Sequence, residues 1–223
     1  MSFGPIMRFK VDELHIELSP LNKETVGEFV NPGMQQRSIT QYIEMNFAPV
    51  FEDEIDWYEK TRTDRSCLVW GIWVIDADGA KTLIGNSALT QMNRGHMRRA
   101  VSGSMIFRKE YWGKGIASAA HKARLWYAFQ HMGLYVITSA VIEGNKGSFK
   151  ALSRCGYYHT HTERNVKFVD GSLRHAYHLE CLNPNESFWS RWWGSDAPSK
   201  DALSARNITN EAMVWAAKNV ELP

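Results

Sequence analysis

The stretch that most limits what this chain can become is residues 105–148, and within it the turn Tyr111-Trp112-Gly113-Lys114-Gly115-Ile116-Ala117. An apolar run at 101–107 precedes the turn, and residues 116–132 repeat their apolar positions at helical spacing, so the turn joins a strand to a helix. Glycines on both sides of Lys114 allow a sharp bend and let an anion reach the backbone without meeting Cβ atoms. The first amides and positive dipole end of the new helix point at whatever occupies the turn, and a phosphate suits them. The P-loop spacing GxxxxGK followed by Ser or Thr is not met, because Lys114 lies between the glycines and Ile116 comes after the second. The dinucleotide fingerprint GxGxxG fails at Ser118.

The segments downstream of the turn are more specific than the glycines themselves. Gly133 stops the helix, and residues 135–142 form an almost continuously apolar strand of the kind covered on both faces. Strand, crossover helix and strand then make a right-handed βαβ unit with the turn at its switch point. Asn145-Lys146-Gly147-Ser148, a short helix and Cys155-Gly156-Tyr157 come next. Together these motifs resemble the GNAT superfamily of acyl-CoA-dependent N-acyltransferases, whose phosphate loop reads [Q/R]-x-x-G-x-[G/A]. Residues 112–117 fit that pattern with Trp112 in its first slot. The Glu110-to-Ala117 form, with Asn145, Ser148 and Gly156-Tyr157, is similar to the RimJ/RimL-like branch, whose members acetylate protein N-termini and related small amines. The resemblance covers about residues 11–182 and is strongest at 105–157.

A chain of 223 residues has room for one well-buried domain and an appendage. Its apolar and charged fractions, 44% and 22%, are those of an ordinary globular protein, and a net charge of +2 gives no argument for nucleic acid or membrane. Cys67, Cys155 and Cys181 are odd in number and lack CxxC spacing, so reduced thiols in a cytoplasmic protein are expected, without a disulfide framework or zinc site. No leader pattern and no run approaching 18 apolar residues is present, so a soluble protein is expected.

Upstream, Leu14, Ile16 and Leu18 alternate with polar residues as a half-buried strand ending at Ser19-Pro20. Helical patches over 23–62 are broken at Asn31-Pro32-Gly33, and 51–62 reads as a helix, acidic first and basic last. In the superfamily this region covers the acceptor side, so residues 31–42 are where substrate selectivity is expected. Runs at 68–75 and 82–89 flank the hairpin signature Asp76-Ala77-Asp78-Gly79, and a third strand near 100–107 completes an antiparallel meander. The link at 91–99, with Arg94, His96, Arg98 and Arg99, reads as a solvated hairpin tip. On the helix 116–132, Ile116, Ala120, Ala123 and Tyr127 share one face, with Lys122 and Arg124 elsewhere.

Residues 157–162 and 166–182 read as a final antiparallel pair with a turn at Asp170-Gly171. Alternation puts His159 and His161 on one strand face, which reads as strand surface because no third convergent ligand makes a metal site. Beyond Asn183-Pro184 the composition shifts: Phe188, Trp189, Trp192 and Trp193 crowd together, and 200–219 is weakly helical. That extension either packs its tryptophans on its own domain or forms a homodimer contact, and the sequence weighs the two evenly.

The resemblance implies acetyl-CoA as co-substrate, an amine acceptor and no metal. Trp112, Gly113, Lys114, Gly115, Ile116 and Ala117 would hold the pyrophosphate, with Lys114 adding charge. Met105, Ile106, Phe107 and Arg108 lie on the strand that in this superfamily pairs with the pantetheine arm, and amides near Ile106 suit a developing oxyanion. Asn145 and Ser148 begin the helix across the cleft, where helix capping is the simpler role of Asn145. Many superfamily members carry a proton-donating Tyr about seven residues after the Asn; Leu152 stands there, which leaves Ser148 as candidate acid. The strand Glu common in RimJ/RimL-type sequences is replaced by Ser102, leaving Glu143 as candidate base, with a solvated strand-end carboxylate as its simpler reading. A missing base favours α-amines, with pKa near 7.7 to 8.0, over lysine side chains near 10.4.

The expectation is therefore an α/β, GNAT-like domain over residues 1–184, with a mixed, mostly antiparallel central sheet flanked by helices, and an aromatic-rich helical extension over 185–223. It would be an N-acetyltransferase acting on a primary amine, best matched by a protein N-terminal α-amine. Polyamines, amino sugars and aminoacyl-tRNA are alternative acceptors, the last being the one nucleic-acid partner in view. A non-catalytic CoA-binding module is a further alternative.

Overall fold

Among the described residues, period-two alternation and β-branched runs build eight strands. The computed structural model describes every residue except Met1, Glu44, Asn46 and His96. The strands are β1 (Met7–Val11), β2 (Leu14–Ser19), β3 (Leu68–Ile75), β4 (Lys81–Asn93), β5 (Arg99–Ile106), β6 (Val136–Ile142), β7 (Tyr158–Val169) and β8 (Ser172–Leu182). Their order in the sheet is β1-β2-β3-β4-β5-β6-β8-β7. Strands β1–β2, β2–β3, β3–β4, β6–β8 and β7–β8 pair antiparallel, whereas β5 and β6 run parallel from Arg99↔Val136 to Val101↔Thr138. The parallel step is the one bridged by a crossover helix, as such a pair requires. Helices α1 (Arg37–Thr40), α2 (Phe51–Thr63), α3 (Ile116–Trp126), α4 (Lys146–Ser153), α5 (Glu186–Trp193) and α6 (Lys200–Asn219) complete the mixed α/β architecture.

Two compact units share the chain, the first made of residues 1–90, 103–120 and 220–223 and the second of 91–102 and 121–219. In the first, Leu21, Val26, Phe29, Val69, Leu83 and Phe107 form a continuous apolar core. Phe29 is its hinge, edge-on to Phe107 at 5.5 Å and to Trp57 of α2 at 5.8 Å. The helical region does break at Asn31-Pro32-Gly33, where Asn31 is extended at φ −129° and ψ 119°. Helix α2 has Glu52, Asp53 and Glu54 in its first turn and Lys60 and Arg62 in its last, as its dipole favours. Asp53 also accepts the Val50 N–H at 2.9 Å, capping the helix from its third position. Strand β1 was not anticipated, although Met7 and Phe9 turn inward while Arg8 and Lys10 face out.

In the second unit β8 lies between β6 and β7, and Asp170-Gly171 turns the β7–β8 hairpin with both φ angles positive. Arg124, which its spacing sets apart from the apolar face of α3, is fully buried. Arg124 is 0% exposed and donates to the Ser102 hydroxyl and toward Nδ1 of His121. The shared face of His159 and His161 is overturned, because a register shift at Thr160 breaks the alternation. His159 meets Tyr177 edge-on, while His161 stacks on His178 at 4.3 Å. The solvated link is seen at Arg94, Arg98 and Arg99, which are exposed; His96 lies outside the described residues.

The aromatic tail packs on its own chain. Trp189 is buried with Val136, Leu182 and Ala202, and Trp192 and Trp193 pack against them. Arg206 of α6 donates to the Pro184 carbonyl and lies over the Trp189 ring at 4.6 Å. Gly156, at φ +89°, lets α6 come close: a Cβ there would fall 1.9 Å from the Thr209 hydroxyl oxygen. All three cysteines are free and buried. Among the described residues no helix is long and apolar enough to cross a membrane.

Candidate active site

The strand-turn-helix expected from the sequence is present. Gly113 and Gly115 adopt φ +77° and +79°, a region closed to most side chains, so both positions call for glycine. A Cβ on Gly113 would meet nothing within 4 Å, which shows that the space beside the turn is open and that φ, not crowding, selects the residue. The first i→i−4 bond of the helix is Ala119 N–H to the Gly115 carbonyl, so the Ile116 and Ala117 amides precede the helical ladder. Ile116 anchors the turn by burying its side chain. Lys114 is exposed, its ammonium 5.4 Å from the Tyr111 ring centre. Glycines, leading amides and one exposed cation fit a pyrophosphate.

The strand leading into that turn is tied down from several sides. The Phe107 side chain is core, and its N–H donates to the Ile84 carbonyl at 2.9 Å. Arg108 donates to the Leu83 carbonyl and to Glu28, both at 2.8 Å. Trp112, 47% exposed, donates its indole N–H to the Ile106 carbonyl at 2.8 Å. Met105 and Ile106 are half-buried. Gly85 lets β4 approach this strand, since a Cβ there would sit 2.0 Å from the Met105 carbonyl oxygen.

In the second unit Asn145 caps α4, accepting the Ser148 N–H at 3.2 Å. The Ser148 hydroxyl therefore sits on the first turn of α4, held by its own amide. Glu143 is bonded twice to β8: its N–H donates to the His175 carbonyl at 2.8 Å and its carboxylate accepts the His175 N–H at 3.3 Å. These two hydrogen bonds tie Glu143 to β8 just beyond the end of β6. Glu143 and Asn145 line a cavity of about 680 Å³ with Lys146, Phe149, Lys150, His159, Arg174 and Tyr177. Leu152, at the position of the family's tyrosine, is buried. Among the described residues no group of three or more His, Cys, Asp or Glu is arranged to hold a metal ion.

One feature of the first unit was missed from the sequence. A cavity of about 290 Å³ is lined by Phe29, Met34, Met45, Phe47, Pro49 and Trp57, with Asn86 from β4, Met105 from β5, and Asp53 and Glu54 from α2. Glu54 is 7% exposed, and burial, aided by the neighbouring charge of Asp53, pushes its carboxyl up to about 7. Among the described residues no cation lines this cavity, whose neutral donors are Asn86 and the Trp57 indole. Glu17 is the contrast: it is fully buried, and although burial alone would raise its pKa, Lys81 and Arg8 at 2.8 Å hold it below the usual carboxylate range. The sequence held one signal for Glu54. It shares a helical stripe with Trp57, Tyr58 and Thr61, all turned inward.

Comparisons with known proteins bear on what this arrangement serves. Residues 15–158 match the family model of the acetyltransferase (GNAT) domain. Spermidine N(1)-acetyltransferase of Escherichia coli K12 is 26% identical over 167 residues, 75% of this chain and 85% of that protein. The probable N-acetyltransferase YjcK of Bacillus subtilis 168 is 31% identical over 104 residues, 47% of this chain and 57% of its own length. Among solved structures, spermidine N-acetyltransferase from Vibrio cholerae in complex with CoA and spermine aligns with a TM-score of 0.65 at 23% identity, over 75% of this chain and 95% of that one. Mycobacterium smegmatis RimJ in complex with CoA-disulfide aligns with a TM-score of 0.70 at 16% identity, over 99% and 97%. At these identities the two structures report a shared fold.

Proposed function

The chain belongs to the GNAT acetyltransferase family and is an acetyl-CoA-dependent N-acetyltransferase, and from that premise we propose that its acceptor is the α-amine of a protein N-terminus. The observation that carries this reading is the 290 Å³ cavity, where one buried carboxylate stands among apolar and aromatic walls against the strand that leads to the phosphate turn. A terminal amino acid presents an amine and an apolar side chain from one carbon, which matches such a site. A polyamine carries several ammonium groups and would want a carboxylate for each, whereas among the described residues the cavity offers Glu54 and Asp53, the latter already accepting the Val50 amide. Acid–base chemistry argues in the same direction, since an α-amine is about a tenth neutral at pH 7 and a lysine side chain far less.

Within this reading Met105, Ile106, Gly113, Lys114, Gly115, Ile116 and Ala117 hold acetyl-CoA. Transfer to a polyamine is the second reading. It is favoured by the names of the E. coli and V. cholerae relatives, both spermidine acetyltransferases.

The test is a panel at pH 7 with acetyl-CoA: a Met-initiated peptide amide, an Nα-blocked lysine peptide and spermidine. The first is expected to be at least tenfold faster than the other two. A faster reaction with spermidine would establish the polyamine reading, and equal rates on both peptides would defeat selection of α-amines.

A further inference from the structure

We infer that Glu54 takes the proton from the acceptor amine, in a pocket whose remaining walls receive an apolar group next to that amine. The inference rests on the amine-acetylation reading and deepens it, because neither the family pattern nor the strand supplies a base here: Ser102, at the expected position, is buried under Arg124. Glu54 meets the geometric requirements. It lines a cavity that also touches Met105 on β5, the strand assigned to the donor, and both belong to one compact unit. A carboxylate buried without a cation is costly, and an incoming ammonium is the partner that relieves it.

The other groups facing the cavity leave that role to Glu54. Among the described residues Asp53 is the one other titratable group of the lining; it is exposed, and one of its oxygens accepts the Val50 amide. β4 contributes the neutral Asn86 and β5 contributes Met105, while the turn before α1 and the loop before α2 contribute Phe29, Met34, Phe47 and Pro49.

The chemistry balances. The ammonium proton passes to the Glu54 carboxylate, and the freed nitrogen lone pair forms the C–N bond to the thioester carbonyl carbon. The C–S bond breaks, the thiolate takes the second amine proton, and Glu54 returns the first to water. A carboxyl pushed up to about 7 lies within about a tenfold factor of an α-amine and more than about a thousandfold from a lysine amine. Proton transfer is then nearly balanced for the first and strongly uphill for the second. This gives α-amine selectivity a residue.

The test compares wild type with Glu54→Gln and Glu54→Asp on a Met-initiated peptide amide from pH 6 to pH 9.5. Wild-type kcat/KM is expected to rise through about pH 7, where Glu54 ionises. Glu54→Gln should lose about tenfold at pH 7, where only about a tenth of the α-amine is neutral, and approach wild type at pH 9.5, where the free amine is already neutral. Glu54→Asp should recover part of the loss. Acetyl-CoA affinity by calorimetry should match in all three proteins. A Glu54→Gln profile parallel to wild type, or a loss equal at every pH, overturns the assignment. Activity of wild type on spermidine alone would overturn the N-terminal acceptor, and the pH series is then run on spermidine, where a Glu54→Gln profile parallel to wild type overturns Glu54 and a loss confined to low pH upholds it; a wild type that binds acetyl-CoA yet acetylates neither amine overturns both.

Discussion

The indole N–H of Trp112 donates to the Ile106 carbonyl at 2.8 Å, so the first residue of the phosphate turn is tied to the last residue of the strand before it. One net hydrogen bond is worth about 1 kcal/mol, or roughly fivefold in an equilibrium. Trp112→Phe keeps the ring and removes the donor. It is expected to weaken acetyl-CoA binding by about three- to tenfold in calorimetry while leaving the thermal midpoint nearly unchanged, because the side chain is half exposed.

Gly115→Ala tests the turn itself. At φ +79° an alanine is strained by about 1–2 kcal/mol, although its Cβ would have room, 3.6 Å from the Val11 side chain. The expected result is a midpoint lower by about 2–8 °C. Acetyl-CoA binding should weaken more than tenfold, since the methyl enters the space reserved for phosphate.

Two buried groups set opposite pH slopes on stability. Glu54 binds its proton more tightly folded than unfolded, so its contribution favours the fold at low pH and is lost as pH rises from about 4.5 through about 7. That displacement corresponds to about 3 kcal/mol. Glu54→Gln should therefore gain in thermal midpoint relative to wild type between pH 5 and pH 8. His121 is held well below its ordinary value by burial and then by Arg124, so its contribution is lost as pH falls below about 6.5. His121→Gln is expected to flatten the acid side of the wild-type curve, and thermal melts across pH 4.5–8.5 read both slopes.

Gly156→Ala probes the docking of α6. The new Cβ would overlap the Thr209 hydroxyl and crowd the Ala205 carbonyl, at a φ that already disfavours side chains. A loss of about 3 kcal/mol or more is expected, read as a fall of at least about 6 °C in the thermal midpoint. Gly156→Ala together with Thr209→Ala should recover part of it.

The elements that carry the phosphate turn were legible because their signals are local. Two glycines, a helical period and a doubly covered strand all fall within residues 101–142. What escaped depends on contacts between distant segments. Arg124 looks like an ordinary polar position until β5 places the Ser102 hydroxyl against it. Thr160 carries no mark of the bulge that turns His159 and His161 apart. Glu54 sits in an acidic first turn, where the dipole explains three carboxylates at once; only its membership in the inward stripe with Trp57 and Thr61 sets it apart from Glu52. The cavity draws on Phe29, Trp57, Asn86 and Met105, and no window of sequence contains them together.

Three of the residues around Glu54 are thioethers: Met34, Met45 and Met105. Unbranched and polarizable, such side chains mould themselves to what they meet. The wall they form favours breadth over exclusivity, so acceptors differing in the size of their first side chain should be handled by one enzyme. It also has an oxidative weakness. Peroxide converts thioethers to polar sulfoxides, and a pocket so altered would turn away the apolar groups it had welcomed while the phosphate turn went on binding its ligand.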